Sequence, residues 1–332
     1  MIITRTPFRI SFFGGGTDFP EWYREHGGSV ISTSIDKYCY ITCRYLPPFF
    51  KYKHRLVYSI IENVSKIDDI NHPSVRECLR WAKPSNGLEI HHDGDLPARS
   101  GVGSSSSFTV GLLHALHALN QTMITKKELA KLSIFIEQKK IKENVGSQDQ
   151  IVAAYGGFNY INFNKDDSFD VQRLILNKNN LNNLKQHLIL LYTGQSRIAS
   201  DIEKNKIHNL HKKKNQLHEI QSYVKESFKL FTANKFNPKN FGEMLHETFM
   251  LKKELSDLVT NDEINRIYDK SLKNGAYGGK ILGAGGGGFL LLVAPPSEHT
   301  KLKKVFNKYT VVPFDFEDEG SKVVLFQPKG FN

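Results

Sequence analysis

The 332 residues suit two domains better than one, and 39% hydrophobic with 24% charged residues is an ordinary globular balance that excludes a disordered or fibrous chain. The net charge of +11 opens the class of anionic partners, from nucleic acid to ATP or a sugar phosphate. A Lys- and Asn-rich habit, as in His211-Lys212-Lys213-Lys214 and residues 177–183, accounts for most of that excess. The basic runs lack interleaved aromatics, so nucleic-acid binding stands only as a rival class.

The chain opens Met1-Ile2-Ile3-Thr4-Arg5 without a basic segment and a long apolar run, so no signal peptide is expected. Residues 2–60 alternate and read as strands, with Ser29-Val30-Ile31-Ser32 and the run Tyr38 to Cys43 rich in β-branched and aromatic residues. Within them, Thr6-Pro7-Phe8-Arg9-Ile10-Ser11-Phe12-Phe13-Gly14-Gly15-Gly16-Thr17-Asp18 carries a strand into three glycines, where backbone can approach a ligand closely. Arg9 there could face a transferring phosphate, and Asp18 could accept hydrogen bonds from sugar hydroxyls. A tight turn with a capping Asp fits the same residues. Cys39, Cys43 and Cys78 form no CxxC pair and read as reduced thiols, which points to the cytoplasm.

A strand at Leu88-Glu89-Ile90 precedes Leu96-Pro97-Ala98-Arg99-Ser100-Gly101-Val102-Gly103-Ser104-Ser105-Ser106-Ser107, which runs straight into a helical pattern marked by Phe108, Leu112, Leu116 and Leu119. Small residues at a helix start leave backbone N–H groups free at the positive end of the dipole, an anion site. A flexible linker has the same composition, but a linker does not lead directly into an amphipathic helix. Thr125 and Glu128 form a capping box opening the next helix. His91-His92, His114 and His117 lack a third ligand at zinc spacing and read as core or surface histidines.

Residues 164–186 are polar and read as loop and hairpin, placing a boundary between domains 1–185 and 186–332. A strand at His187 to Thr193 opens the second half. Helices follow, marked by Leu210, Leu217, Ile220, Val224 and Phe228, then by Phe241, Leu245, Leu251, Leu255 and Leu258, with a third ending at Asn274-Gly275. Gly278-Gly279-Lys280-Ile281-Leu282-Gly283-Ala284-Gly285-Gly286-Gly287-Gly288 satisfies GxGxxG at Gly283, Gly285 and Gly288. A dinucleotide fingerprint needs a helix next, and Phe289 to Val293 reads as a strand, so a hairpin whose glycines pack close to another loop fits better. A helix from Ser297 to Lys308 and terminal strands follow. This β-α-β-β-α-β order is that of a ferredoxin-like domain with extra helices. The longest apolar run, Phe289 to Ala294, is far too short to cross a bilayer. GxxxxGK[ST], HRD and DFG are absent, which excludes P-loop and protein-kinase nucleotide sites.

The three glycine-rich segments, in this order, resemble those of the GHMP kinases: P-x-R…G-x-x-x-D, P-x-G-x-G-L-G-S-S and a late glycine-rich hairpin. Arg99 stands where a glycine is usual, and Val102 where leucine is usual. The resemblance implies an α+β fold of two domains, an N-terminal α/β domain with mixed sheets and a C-terminal ferredoxin-like domain with extra helices. Arg5 to Phe19, Ile35-Asp36-Lys37-Tyr38-Cys39-Tyr40, His72-Pro73-Ser74-Val75-Arg76-Glu77 and Gly146-Ser147-Gln148-Asp149-Gln150 are similar to stretches of the family's heptose 7-phosphate kinases. That implies transfer of the ATP γ-phosphoryl group to an anomeric hydroxyl, on the way to nucleotide-activated heptose for surface polysaccharide. Fucokinase-like or galactokinase-like activity is the alternative within the family.

By the same resemblance Asp149 orients and deprotonates the sugar hydroxyl, a position a helix-capping Asp would also occupy, and Arg9 stabilises developing charge. Pro97 and Arg99 to Ser106 (Arg99, Ser100, Gly101, Val102, Gly103, Ser104, Ser105, Ser106) cradle ATP. Ser105 and Glu137 hold Mg²⁺, although Glu137 among Lys139, Lys140 and Lys142 also fits a solvated helix face. Gly14, Gly15, Gly16, Thr17, Asp18, Gly285 and Gly286 surround the sugar, with Arg44, Arg76 and Arg197 as candidate partners for a remote phosphate. No nucleic-acid or membrane partner is implied, and a monomer or homodimer is expected.

Overall fold

A computed structural model describes residues 1–194 and 199–329; Arg197 lies outside them. The strand Gly28–Tyr45 organises the first half. Its 18 residues are long enough to serve several partners. It pairs antiparallel with Ile2–Phe13 along its length, with Leu88–Gly94 over one end and with Phe158–Phe163 over the other. The register with the first strand slips between Pro7 and Phe8, where proline has no N–H to give the ladder. His54–Val57 joins Leu88–Gly94 in parallel, the one parallel pairing among the described strands.

The helix Ser104–Leu119 lies on these strands and is buried almost all round from Ser106 to Leu119, so it is a central helix with more than one apolar face. The capping box forms as the sequence implies: Thr125 Oγ1 accepts from the Glu128 N–H, and the Glu128 carboxylate accepts from the Thr125 N–H.

The second sheet contains Leu188–Tyr192, Gly278–Ile281, Phe289–Val293 and Thr310–Val312. Taking these as first to fourth, the spatial order is fourth, first, third, second, and every neighbour is antiparallel. That is the ferredoxin-like arrangement, with the helices Ala199–Asn209, Lys214–Thr232, Pro238–Leu255 and Asp262–Lys273 all inserted in the first crossover.

Several expectations need correction. Residues 2–60 include the helix Pro20–His26, which begins on Pro20 and buries Trp22 and Tyr23. The polar segment 164–186 supplies the turn and second strand of a hairpin, Phe169–Arg173 against Phe158–Phe163, but also the helix Lys178–Gln186. There the Asn-rich run caps instead of looping: Asn177 Oδ1 accepts from the Asn180 N–H, and the buried Asn180 amide donates to the Ala233 and Asn234 carbonyls. The helix predicted over 297–308 is His299–Val305, preceded by a 3₁₀ turn at Pro296–Glu298. The last strands return to the first sheet: Lys322–Phe326 pairs with Ile2–Arg5, and Phe316–Glu317 with Ile35–Ser34. A cut at 185/186 therefore separates these strands from the sheet they complete.

Candidate active site

The three glycine-rich segments meet at one cleft of about 300 Å³. The second and third touch backbone to backbone. A Cβ on Gly283 (φ +63°) would fall 2.5 Å from Gly101 Cα, and one on Gly288 (φ +87°) 2.1 Å from the Ser100 carbonyl oxygen. Only glycine permits this approach, and the Phe289 N–H donates to the Ser100 carbonyl across it at 3.0 Å. The late glycine turn thus buttresses the loop that precedes the central helix.

That loop ends at Gly103, which is left-handed and caps the helix with no side chain. Ser104, Ser105 and Ser106 line the cleft, so uncapped helix N–H groups open on it. Arg99 is itself left-handed at φ +59°, which explains why glycine is usual there. Its N–H donates to Ser104 Oγ at 3.1 Å.

Arg9 and Asp149 sit beneath the loop. The guanidinium grips the carboxylate with two parallel bonds, Nε to Oδ1 at 2.7 Å and Nη2 to Oδ2 at 2.6 Å, and Nη1 donates to the Gly101 carbonyl. The Gly103 Cα faces this fork, since a Cβ there would lie 3.1 Å from Arg9 Cγ and 3.4 Å from Asp149 Oδ2. Asp149 begins the helix Gln148–Tyr155 and Arg9 lies on the first strand, so two rigid elements hold the pair.

Asp18 is buried beside them. Its Oδ1 accepts from the Gly16 N–H at 3.0 Å, and its main-chain carbonyl accepts from the Ser147 N–H at 2.9 Å. Burial, reinforced by the nearby Asp149 charge, raises its pKa to about 6 against the Gly16 hydrogen bond. A Cβ on Gly146 would strike Asp18 Oδ2, so a larger residue there would push that carboxylate out of place.

Glu137 lies behind the cleft wall, fully buried in a π-helical turn, Ile136–Ile141, and not on a solvated face. Its Oε2 accepts from Ser106 Oγ at 2.9 Å and from the Gln150 amide, while Oε1 has no hydrogen-bond partner. Burial, with the Glu143 charge, raises its pKa to about 8. The hydroxyl that reaches it is Ser106; Ser105 is exposed. A buried, under-bonded carboxylate behind serine hydroxyls is a hard-oxygen set that suits a small divalent cation sharing its shell with phosphate oxygens.

Gly15, Gly16 and Gly285 line the cleft. Gly14, Thr17 and Gly286 are not among its lining residues; Thr17 Oγ1 is spent inside the turn, shared between the Gly14 and Ser29 carbonyls. Arg44 and Arg76 do not line it: Arg44 is paired to Glu89, and Arg76 donates to the Ile70 carbonyl and pairs with Glu77. Among further lining residues not assigned to the site from sequence are the cations Lys206, Lys252 and Lys280 and the carboxylates Glu143 and Glu203. Lys252 carries a readable signal, since it continues the buried stripe Phe241, Leu245, Thr248, Phe249 of its helix.

A two-domain fold with two glycine loops against an Arg–Asp fork defines the class, and the chain belongs to the GHMP kinase family. The family description for the GHMP kinases N terminal domain matches residues 57–157, and that for the GHMP kinases C terminal matches residues 227–310. The chain is 31% identical, over 97% of its own length and 98% of the other's, to a D-glycero-alpha-D-manno-heptose 7-phosphate kinase of Campylobacter jejuni. Among solved structures it resembles a putative sugar kinase from Campylobacter jejuni, at 27% identity and a TM-score of 0.70 over 97% of each chain. It shares its fold with a D-glycero-D-manno-heptose 1-phosphate kinase from Bacteroides thetaiotaomicron, at 22% identity and a TM-score of 0.79 over 98% of this chain and 100% of that one.

Proposed function

We propose that the chain transfers the γ-phosphoryl group of ATP to the anomeric hydroxyl of D-glycero-D-manno-heptose 7-phosphate, giving the 1,7-bisphosphate and ADP. The observation that carries the chemistry is the contact of the Ser/Gly loop with the Arg9–Asp149 fork; the choice of sugar rests on the Campylobacter jejuni relative.

In this reading the uncapped N–H groups of 104–106 and the backbone of 101–103 hold the nucleotide phosphates. Asp149 accepts the proton of the sugar hydroxyl as its oxygen bonds to phosphorus and the bond to the β-phosphate oxygen breaks. Arg9 fixes the carboxylate and offsets charge at the loop. Asp18, held between Gly16 and Gly146, receives sugar hydroxyls. Glu137 with Ser106, and Ser105 from the cleft side, would hold Mg²⁺, which supplies charge neutralisation on the phosphates when bound. The buried free thiols Cys39, Cys43 and Cys78 support a reducing, cytoplasmic setting, and no described helix is long and apolar enough to cross a membrane.

The test is a panel of sugars with and without a terminal phosphate, offered with ATP and Mg²⁺, with the product assigned by phosphorus NMR. Heptose 7-phosphate should be the best acceptor and C1 the site of modification. Faster turnover of an unphosphorylated fucose, galactose or mannose would overturn the substrate.

A further inference from the structure

Lys206, Lys252 and Lys280 reach the cleft from three elements of the second half: the helices Ala199–Asn209 and Pro238–Leu255 and the strand Gly278–Ile281. All three are buried, at 4%, 7% and 5% exposure. Lys206 is ion-paired to Glu203 at 3.1 Å. The other two differ. Lys252 Nζ donates to the carbonyls of Ile281 at 3.1 Å and Gly283 at 2.6 Å, and Lys280 Nζ to the Phe12 carbonyl at 2.7 Å. Among the described residues no carboxylate is in ion-pair contact with either.

An ammonium has three donors, so one remains on Lys252 and two on Lys280. Burying unpaired cations beside one another is costly, and proteins retain such groups where a ligand completes them. Asp18 and Glu203 act on them only from a distance, and Asp149 is taken by Arg9. The nucleotide phosphates have their own cradle in the uncapped helix start and Arg99. What the cleft leaves over is three ammonium donors on Lys252 and Lys280, a set that suits an anion with several acceptor oxygens.

We infer that Lys252 and Lys280, backed by Lys206, form the receptor for the terminal phosphate monoester of the sugar. This deepens the heptose 7-phosphate reading and rests on it. It also replaces Arg44 and Arg76, whose partners hold them away from the cleft. The lysines belong to the second half of the chain and the Arg9–Asp149 fork to the first, so a phosphosugar held at both ends bridges the two. Burial and the neighbouring cations push both lysines below the ordinary range, Lys280 to about 7, and a phosphate dianion would restore their charge.

The experiment measures kcat/KM for heptose 7-phosphate and for the same heptose without its phosphate, together with KM for ATP, in wild type, K252M and K280M. Each substitution should cut the preference for the phosphorylated sugar by roughly 10- to 100-fold, the worth of a charge-assisted hydrogen bond, while KM for ATP moves less than about threefold. Turnover of the unphosphorylated heptose reports that each variant is folded. Should one not fold, the glutamine variant at the same position, K252Q or K280Q, is read the same way, and calorimetric binding of the phosphosugar replaces turnover in any inactive variant. An unchanged preference, or a KM for ATP that rises in step, overturns the lysine receptor while leaving the substrate reading intact. A wild type that does not discriminate the two sugars sinks the substrate reading and this inference together.

Discussion

Replacing Glu137 by Gln separates the cost of burying a carboxylate from its use. Glu137 is wholly inside the protein, with one oxygen bonded to Ser106 and Gln150 and the other unbonded. Its pKa is raised from 4.5 to about 8. Below 4.5 both the folded and unfolded chains hold the proton and nothing is gained or lost. Between 4.5 and 8 the folded protein retains a proton that the unfolded chain has released, so stability falls as pH rises, and above 8 the full cost remains. At ~1.4 kcal/mol per pH unit that cost is on the order of 5 kcal/mol. Urea unfolding of the metal-free protein in chelator, at pH 6, 7.5 and 9, should show wild type losing several kcal/mol across the range and E137Q much less. At pH 9 the variant should be the more stable of the two. With nucleotide already bound, adding Mg²⁺ should then stabilise wild type further and move E137Q much less. Parallel pH profiles for the two proteins, or equal stabilisation by Mg²⁺, would refute the reasoning.

Asp149→Asn should lower kcat by about 10²- to 10⁴-fold with nucleotide binding retained, checked by steady-state kinetics and calorimetry. Ser106→Ala removes the hydroxyl on Glu137 and should raise the Mg²⁺ concentration needed for half-maximal rate well beyond the effect of Ser105→Ala, measured by Mg²⁺ titration. Gly283→Ala drives a methyl into Gly101 and should cost several kcal/mol or abolish soluble expression. Arg99→Gly should change stability by less than ~1 kcal/mol, because relief of the left-handed strain offsets the added chain entropy; thermal unfolding of both variants decides.

Much of the fold is written in local pattern: the alternating strands, the Ser/Gly loop opening a helix, and the hairpin after Gly288. These signals survive because they depend on neighbours in sequence. The helices Pro20–His26 and Lys178–Gln186 were hidden because short polar helices draw their stability from caps and a few buried contacts, Trp22 and Leu184 among them. The grouping of Arg9 with Asp149 was not legible from either segment, since 140 positions separate them. The choice of Ser106 over Ser105 depends on helix phase, which a run of four serines leaves open. Two of the lysines were masked by composition: in a chain with 45 basic residues, Lys206 and Lys280 look like ordinary cations until the packing is seen, whereas Lys252 could have been found from the buried stripe it continues.

The seam that joins both ends of the chain has a consequence for biogenesis. Thr6 on the opening strand bonds to Ser321, 315 positions away, and Ile2–Arg5 finds its outer partner only in Lys322–Phe326. At roughly 5–20 residues per second, the nascent protein exposes that raw sheet edge for some tens of seconds before its own tail covers it. Chains halted before residue 322 would keep the adhesive border, so ribosome stalling ahead of that residue should yield aggregates instead of active enzyme.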